Sequence, residues 1–560
     1  MRFYLRIAAE CFICFVFPFM AQAQPVLTAF PKPLQFYCRN AQDSAVAAVT
    51  GTVTAAGPES VTVTLYKNNI QTLHLAQRLH YSGATASFGF SPKIHAELSM
   101  YKFELRVDTA LYASADSVVC GDAFTIDGQS NSVTQASYNY SSKWIRSFGS
   151  STTDAAPSQA DSTWAVAQSM TIYSHGAIGV WGMQVARHII ENSQIPVCII
   201  NGGYNGTSIE SHARDLTYSS IYGRLYNRVR RAELLNGIRA VFWHQGESGY
   251  DPAMYRTNFL NLCSSWKTDY PSIERYYLFQ TRPGCGIASG QDIVREAQRI
   301  IPVGRPDISI MSTVDLPGHD GCHYAANGYI QMGDQLYRLV ARDFYVSSDT
   351  ARICPPNIQE ARFADMAHTR LILRFDQPVL VPADTGIRHA FALGKTVTAL
   401  DSVKADTAAN TITIYFHVPS DSATISYGPD TWNSATYEGP WLYNTRGIGA
   451  LTFHRFIVSA NTEDEPGTMD LENHSLTVAP NPFNPSVNIK VAGWKNGTEL
   501  KILNINGKVV VNLTTVLNNG SQKSGLRQVS WNASGHASGV YVVMLKNGNS
   551  KLKQKVMLIR

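Results

Sequence analysis

Residues 120–132 read CGDAFTIDGQSNS. Ala123, Phe124, Thr125 and Ile126 form a strand-like run that stops abruptly in the turn Gly128-Gln129-Ser130-Asn131. A serine at that point has two readings. It can cap a helix or close a turn, or it can be a nucleophile held at the carboxyl end of a strand. The segments on either side decide between them.

On the carboxyl side, a Ser/Thr-rich loop runs to about residue 162. An amphipathic helix, GVWGMQVARHIIEN, and a strand, PVCIIN, follow. The next helix, IYGRLYNRVRRAELLN, places Ile221, Leu225, Val229 and Ala232 on one face. Strand IRAVFWHQ, a helix over 252–266, strand YYLFQT, a helix over 291–300, strand ISIMST and a helix over 325–342 complete the pattern. Strands alternating with helices predict a parallel sheet covered on both faces, here over residues 118–345.

On the amino side, residues 24–117 alternate in short runs such as VTVTLYK and YKFELRV, which predicts a small β-sandwich. Residues 346–459 return to strands (RLILRF, TITIYFHV, ATISYG) and predict a second one. An acidic linker spans 460–473. The last segment, 474–560, reads as a further immunoglobulin-like β-sandwich. Pro480, Pro482 and Pro485 keep its entry extended, and Asn506-Gly507 reads as a hairpin turn.

At 560 residues the chain is too long for one core, in keeping with several domains. A formal charge of +5 is small for this length and gives no reason to invoke nucleic acid or an anionic membrane surface. Residues 1–23 carry Arg2 and Arg6, an apolar stretch and Ala21-Gln22-Ala23, the layout of a secretory signal peptide. The competing reading is a membrane anchor, for which the apolar stretch is short. No later segment is apolar enough to span a membrane. Removal of the signal leaves seven cysteines, at 38, 120, 198, 263, 285, 322 and 354, an odd number in an export setting that permits disulfides. Cys38 with Cys120, and Cys285 with Cys322, are the pairings considered. No C-x-x-C spacing suggests zinc.

In an open parallel sheet, ligands bind outside the carboxyl ends of the strands. Four strand ends carry chemistry here: Gly128-Gln129-Ser130-Asn131; the glycine turn from Gly202 through Tyr204, Asn205 and Gly206 to Glu210; His244-Gln245-Gly246-Glu247-Ser248; and VDLPGHDGCHY with Asp315, His319, Asp320 and His323. This set suits acyl transfer. A serine needs a base, a histidine base needs an acceptor on its other nitrogen, and a tetrahedral oxyanion needs N–H donors. His323 and His319 both stand as candidate bases. Glu247 is read either as orienting a donor or as a buried acid paired with an arginine, and His244 as a packed structural residue. Glu210 is expected to brace the glycine turn by accepting backbone hydrogens. Tyr204, Trp181 and Tyr250 are weighed as sugar-stacking rings against ordinary core aromatics.

GQSN, the glycine turn ending in GTSIE, WHQGES and DGCH together resemble the SGNH hydrolase superfamily, and more narrowly its sialate O-acetylesterase and acetylxylan esterase branch. The resemblance implies a flavodoxin-like parallel-sheet hydrolase, flanked here by β-sandwich domains. It makes Ser130 the nucleophile, His323 the base and Asp320 its orienting acid, with Ser130, Gly206 and Gln245 forming the oxyanion hole. Gln129, Asn131, Glu210, Glu247 and Tyr204 are supporting or substrate-binding positions. Asn205 and Tyr324 depart from the glycine and proline common in relatives, which bears on substrate choice. The tail, with PNPFNPS and SGVY, resembles the carboxyl-terminal sorting domains of the type IX secretion system in the Bacteroidetes and related phyla. The implied protein is a carbohydrate O-acetylesterase, secreted or at the cell surface, that uses no cofactor or metal. Its partners are an acetylated glycan (sialic acid, xylan or related) and the outer-membrane secretion machinery. The alternative is a glycan-binding or adhesion protein that keeps the fold without catalysis.

Overall fold

The computed structural model describes residues 25–559 apart from 55–56, 135, 153, 170–172, 248–250, 286–289, 366, 395, 398–399, 429–438, 460–474, 493, 495–496, 506, 519–526 and 548–549. The segment read as a signal peptide, the 460–473 linker, Ser248 and Tyr250 therefore lie outside the described residues.

The central sheet runs in the order Trp164–Val166, Ile145–Phe148, Val197–Asn201, Ala110–Gly128, Ile238–His244, Arg275–Gln280, Ile308–Ser312. All neighbours are parallel except the first pair. From Ala110–Gly128 the chain lays down three strands on one side, the adjacent Val197–Asn201 last, and then crosses to the other. The switch point thus lies at the carboxyl end of this strand, where open α/β sheets make their clefts. Val180–Ser193 and Ala326–Phe344 cover one face, burying Trp181, Met183, Met332 and Leu336 against Phe242 and Phe279. Ile221–Arg231, Tyr255–Asp269 and Gln291–Ile300 cover the other, with Leu225, Phe259, Trp266 and Val294 around Trp243. Ser220 caps the first of these helices by accepting from Gly223 N–H at 2.8 Å.

Two features differ from the sequence reading. The Ser/Thr-rich region is not all loop, since it holds the strand Ile145–Phe148 and the helix Ala155–Ala160. Nor does the chain break near residue 117. Ala110–Gly128 is a single 19-residue strand that pairs antiparallel with Tyr101–Val107 in the amino-terminal sandwich and then parallel with the central sheet. Sandwich and central sheet are therefore continuous through this strand.

The junction is pinned by Asp122. Its buried carboxylate receives Arg39 Nε at 2.9 Å and Nη2 at 2.8 Å, Arg239 Nη1 at 3.2 Å and Tyr345 OH at 2.7 Å. Removing one partner of such a cluster strands the others in a low-dielectric site. Asp122→Ala should cost about 3–5 kcal/mol, read as a drop in the denaturant midpoint. A loss under about 1 kcal/mol, the range of a surface pair, would mean the cluster is solvent-screened.

The middle sandwich packs Val314 into its own core together with Phe391, Tyr427 and Leu442. It meets the central sheet through Gln280, whose amide exchanges two hydrogen bonds with the Thr452 main chain at 2.9 and 2.8 Å. Arg295 Nη2 also donates to Gly428 O at 2.7 Å. The carboxyl-terminal part forms two sheets, of three and four strands, around Val487, Leu500 and Trp531. Cys285 and Cys322 form a disulfide, whereas Cys38 and Cys120 are free thiols, so the first pairing considered is not made. Cys120 stands across from Tyr37 in the strand register, and Cys38 from Gly121.

Candidate active site

The four strand-end segments are hydrogen-bonded to one another. Gln129 N–H donates to His244 O at 2.9 Å, and its Oε1 accepts from Gly246 N at 3.2 Å and Glu247 N at 3.3 Å. Tyr204 N–H donates to Gly128 O at 2.9 Å. Gln245 Nε2 donates to Thr207 O at 3.1 Å. Asn131 Nδ2 donates to Cys322 O at 2.9 Å and to Glu247 Oε1 at 2.8 Å. Ser130 sits between Gln129 and Asn131, both of which are held in this mesh.

Local backbone chemistry explains the turn. Gly128 has φ +132°, and a Cβ there would fall 2.1 Å from His244 O, so the strand can end this close to its neighbour only at glycine. Ser130 begins the short helix Ser130–Val133. It is 7 % exposed. Among the described residues its hydroxyl, its N–H and the N–H of Gly206 have no hydrogen-bond partner. Gly206, at φ +68°, is exposed on its turn. Gln245 is fully buried, and one N–H of its amide is committed to Thr207 O.

Asp320 and His323 form a tight loop. Asp320 Oδ1 accepts from Cys322 N at 2.9 Å and His323 N at 2.7 Å, while Asp320 N donates to His323 O at 3.0 Å. Burial works to raise the Asp320 carboxyl, but these main-chain donors outweigh it and hold the group below the usual carboxylate range. Its Oδ2 stands 4.0 Å from His323 Nδ1, within ion-pair reach and beyond a hydrogen bond. The disulfide joins Cys322, next to His323, to Cys285 on the loop after Arg275–Gln280.

His319 is a different kind of residue. It is buried beside Tyr324, and its Nδ1 accepts from Gly321 N–H at 3.2 Å. Burial, followed by the Arg282 charge, lowers it to about 3. Arg282 itself lies under the Trp441 ring of the middle sandwich, 5.6 Å from its centroid. Asp315 turns toward Gln335 and the Gly449 main chain, and burial pushes its carboxyl up to about 6.

The supporting positions sort themselves by contact. Glu247 is a buried acid whose partners are a histidine and an amide, not an arginine. Its Oε1 lies 3.1 Å from His244 Nδ1 and accepts from Asn131. Burial alone would raise this carboxyl, and the His244 ring and the Asn131 amide pull it below its usual range. Asn131 is bonded at both ends of its amide, since Tyr329 OH also donates to its Oδ1 at 2.7 Å. Glu210 does not brace the glycine turn. It is exposed, and its Oε1 accepts from Asn258 Nδ2 at 2.9 Å, because the 3₁₀ turn Ile209–His212 carries it toward the helix Tyr255–Asp269. Trp181 does not face a ligand either. It is fully buried and donates Nε1–H to Asn131 O at 2.8 Å, so its ring supports the nucleophile turn from beneath. Tyr204 remains half-exposed, 5.9 Å from the Tyr173 ring and 5.7 Å from the Arg224 guanidinium. Asn205, one of the two departures, donates its N–H to Tyr173 OH at 2.8 Å.

Two buried groups at the site were not read from the sequence. Asp127 and His212 are both fully buried, with Oδ1 and Nδ1 3.1 Å apart. Asp127 stands in the quoted stretch, three residues before Ser130. Its partner lies 85 positions away on a short turn with no periodicity to flag it.

Residues 121–342 match the family model of carbohydrate esterase, sialic acid-specific acetylesterase, and residues 477–559 match that of a secretion system C-terminal sorting domain. Among solved structures the chain is similar to a carbohydrate acetylesterase from Xanthomonas citri, with TM-score 0.52 and 15% identity over 77% of this chain and 99% of that one. It also matches a protein from Arabidopsis thaliana, with TM-score 0.32 and 20% identity over 40% of this chain and 99% of the other. No curated protein matches the sequence. Among the described residues no helix is long and apolar enough to cross a membrane.

Proposed function

From an exported chain that carries a carbohydrate esterase domain over 121–342 and a sorting domain over 477–559, we propose an enzyme that removes O-acetyl groups from a glycan through Ser130. His323 takes the Ser130 proton as Oγ attacks the acetyl carbonyl. The N–H groups of Ser130 and Gly206, with the side-chain amide of Gln245, receive the oxyanion. Collapse expels the sugar oxygen, to which His323 returns the proton. Water deprotonated by His323 then opens the acetyl-enzyme and frees acetate. Asp320 holds the loop that carries His323 and supplies the nearby negative charge. The mechanism draws on no metal or cofactor.

The observation that carries this reading is a buried serine whose hydroxyl and N–H have no hydrogen-bond partner among the described residues, on loops hydrogen-bonded to one another. Polar main-chain groups near a protein interior are nearly always paired, and the exceptions call for a ligand or a reaction. The substrate class is an acetylated sugar of the sialate, xylan or related type, met outside the cell after passage through the secretion machinery that the tail addresses. Acetate release from O-acetylated sialic acid, acetylated xylan and acetylated pectin tests it. The expected result is release from at least one of the three, together with turnover of p-nitrophenyl acetate. Silence on all four substrates would leave the fold as a glycan-binding module.

A further inference from the structure

Behind the exposed face of the site lies a buried line of polar groups that no step above uses. Asp127 Oδ1 accepts from Gly128 N–H at 2.8 Å and stands 3.1 Å from His212 Nδ1. His212 Nε2 stands 2.9 Å from Thr207 Oγ1. The Thr207 hydroxyl lies 2.7 Å from Tyr204 O, to which it donates. Its proton is thereby committed, so the threonine oxygen faces His212 as an acceptor and His212 Nε2 carries a proton. The Asp127 carboxylate stands against the other ring nitrogen at ion-pair distance, without hydrogen-bond geometry. The imidazole is also fixed edge-on to Trp243, 5.1 Å between centroids.

We propose that Asp127, His212 and Thr207 are positioning residues, a buried brace that sets the Gly206 turn against the nucleophile; this rests on the esterase reading above. The line begins at the last turn of the strand that delivers Ser130 and ends inside the turn that delivers Gly206. Thr207 is gripped twice, at Oγ1 by His212 and at its carbonyl by Gln245. Gly206 has a left-handed backbone and nothing within 4 Å of where a Cβ would lie. Its own surroundings therefore do little to hold its N–H in place, and the neighbouring Thr207 is the point at which the turn can be held. A donor displaced by about 1 Å from the developing oxyanion costs on the order of 10²-fold in rate.

Thr207→Val keeps the shape and removes the hydroxyl, Thr207→Ser restores the hydroxyl, and Asp127→Asn removes the charge at constant size. Each is assayed with p-nitrophenyl acetate, with kcat expressed per serine titrated by a fluorophosphonate, so that misfolded protein does not count. The expected result is a fall of about 10- to 100-fold in kcat for Thr207→Val and Asp127→Asn with KM within about twofold. Thr207→Ser is expected to recover to within about threefold of wild type. A brace that only stabilises the fold would lower the melting temperature and leave kcat per titrated serine unchanged, and that outcome overturns the proposal. If the wild-type protein neither turns over the ester nor labels at Ser130, the esterase reading itself fails and the brace falls with it. Wild-type turnover with unaltered variants rejects the brace alone.

Discussion

Ser130→Ala is expected to lower kcat by about 10⁴-fold or more, equivalent to about 5.5 kcal/mol of transition-state stabilisation. The residual rate over water is what the N–H donors and substrate binding supply without a nucleophile. The substitution should leave folding untouched, because the Ser130 hydroxyl has no hydrogen-bond partner among the described residues and its loss strands nothing. Ser132, two positions on, makes the contrast. Its buried hydroxyl donates to Gln129 O at 2.6 Å, and a Cβ on Gly203 would lie 2.0 Å from it. Replacing Ser132 should therefore disturb the turn, whereas replacing Ser130 should disturb only the reaction. Steady-state kinetics and a thermal melt on the two alanine variants separate these cases. A Ser130→Ala protein with a tenth of wild-type kcat would remove this serine from the mechanism.

The sequence carried the sheet and the identity of the strand-end segments because both are local signals. Runs such as AFTI, VCII and AVFW are buried on both faces, and the turns that follow them are rich in glycine and amide residues. What it did not show depended on contacts between distant segments. The Ile145–Phe148 strand is only four residues long and includes Arg146. That arginine is fully buried because its guanidinium is spent on main-chain carbonyls, among them Leu34 O at 3.1 Å and Ser117 O at 3.0 Å. A charged residue in a short run reads as loop until those acceptors are known. The 19-residue strand reads as two elements meeting at 117 for a related reason. Its first part is mostly exposed and its second is wholly buried, so one strand passing between two environments has the composition of two elements. Glu210 reads as part of the glycine turn because it is close to it in sequence. A single 3₁₀ turn was enough to swing it to Asn258.

His323→Ala should fall to about the same level as Ser130→Ala, about 10⁴-fold below wild type, since members of such a unit fail together. His319→Ala should retain chemistry, and the reason lies in its hydrogen bond. A general base must present an unprotonated nitrogen to the serine hydroxyl. His319 Nδ1 already accepts from the Gly321 N–H, which leaves the ring proton on Nε2. With its pKa lowered to about 3, the ring stays neutral in this one form across the working pH range. His319 therefore offers a donor where a base would need an acceptor. His323 is half-exposed, with 40 % of its side chain accessible, and rides on a loop tied to Ser130's neighbour through Asn131 and Cys322 O. Asp320→Asn is expected to be milder than Ser130→Ala or His323→Ala. The asparagine Oδ1 can still accept from the Cys322 and His323 N–H groups that shape the loop, so what is lost is the charge 4.0 Å from the ring. The measurement is kcat for p-nitrophenyl acetate in the three variants, each checked for its melting temperature. If His319→Ala is as inactive as Ser130→Ala while His323→Ala keeps most of its rate, the base has been assigned to the wrong histidine of the GHDGCH loop.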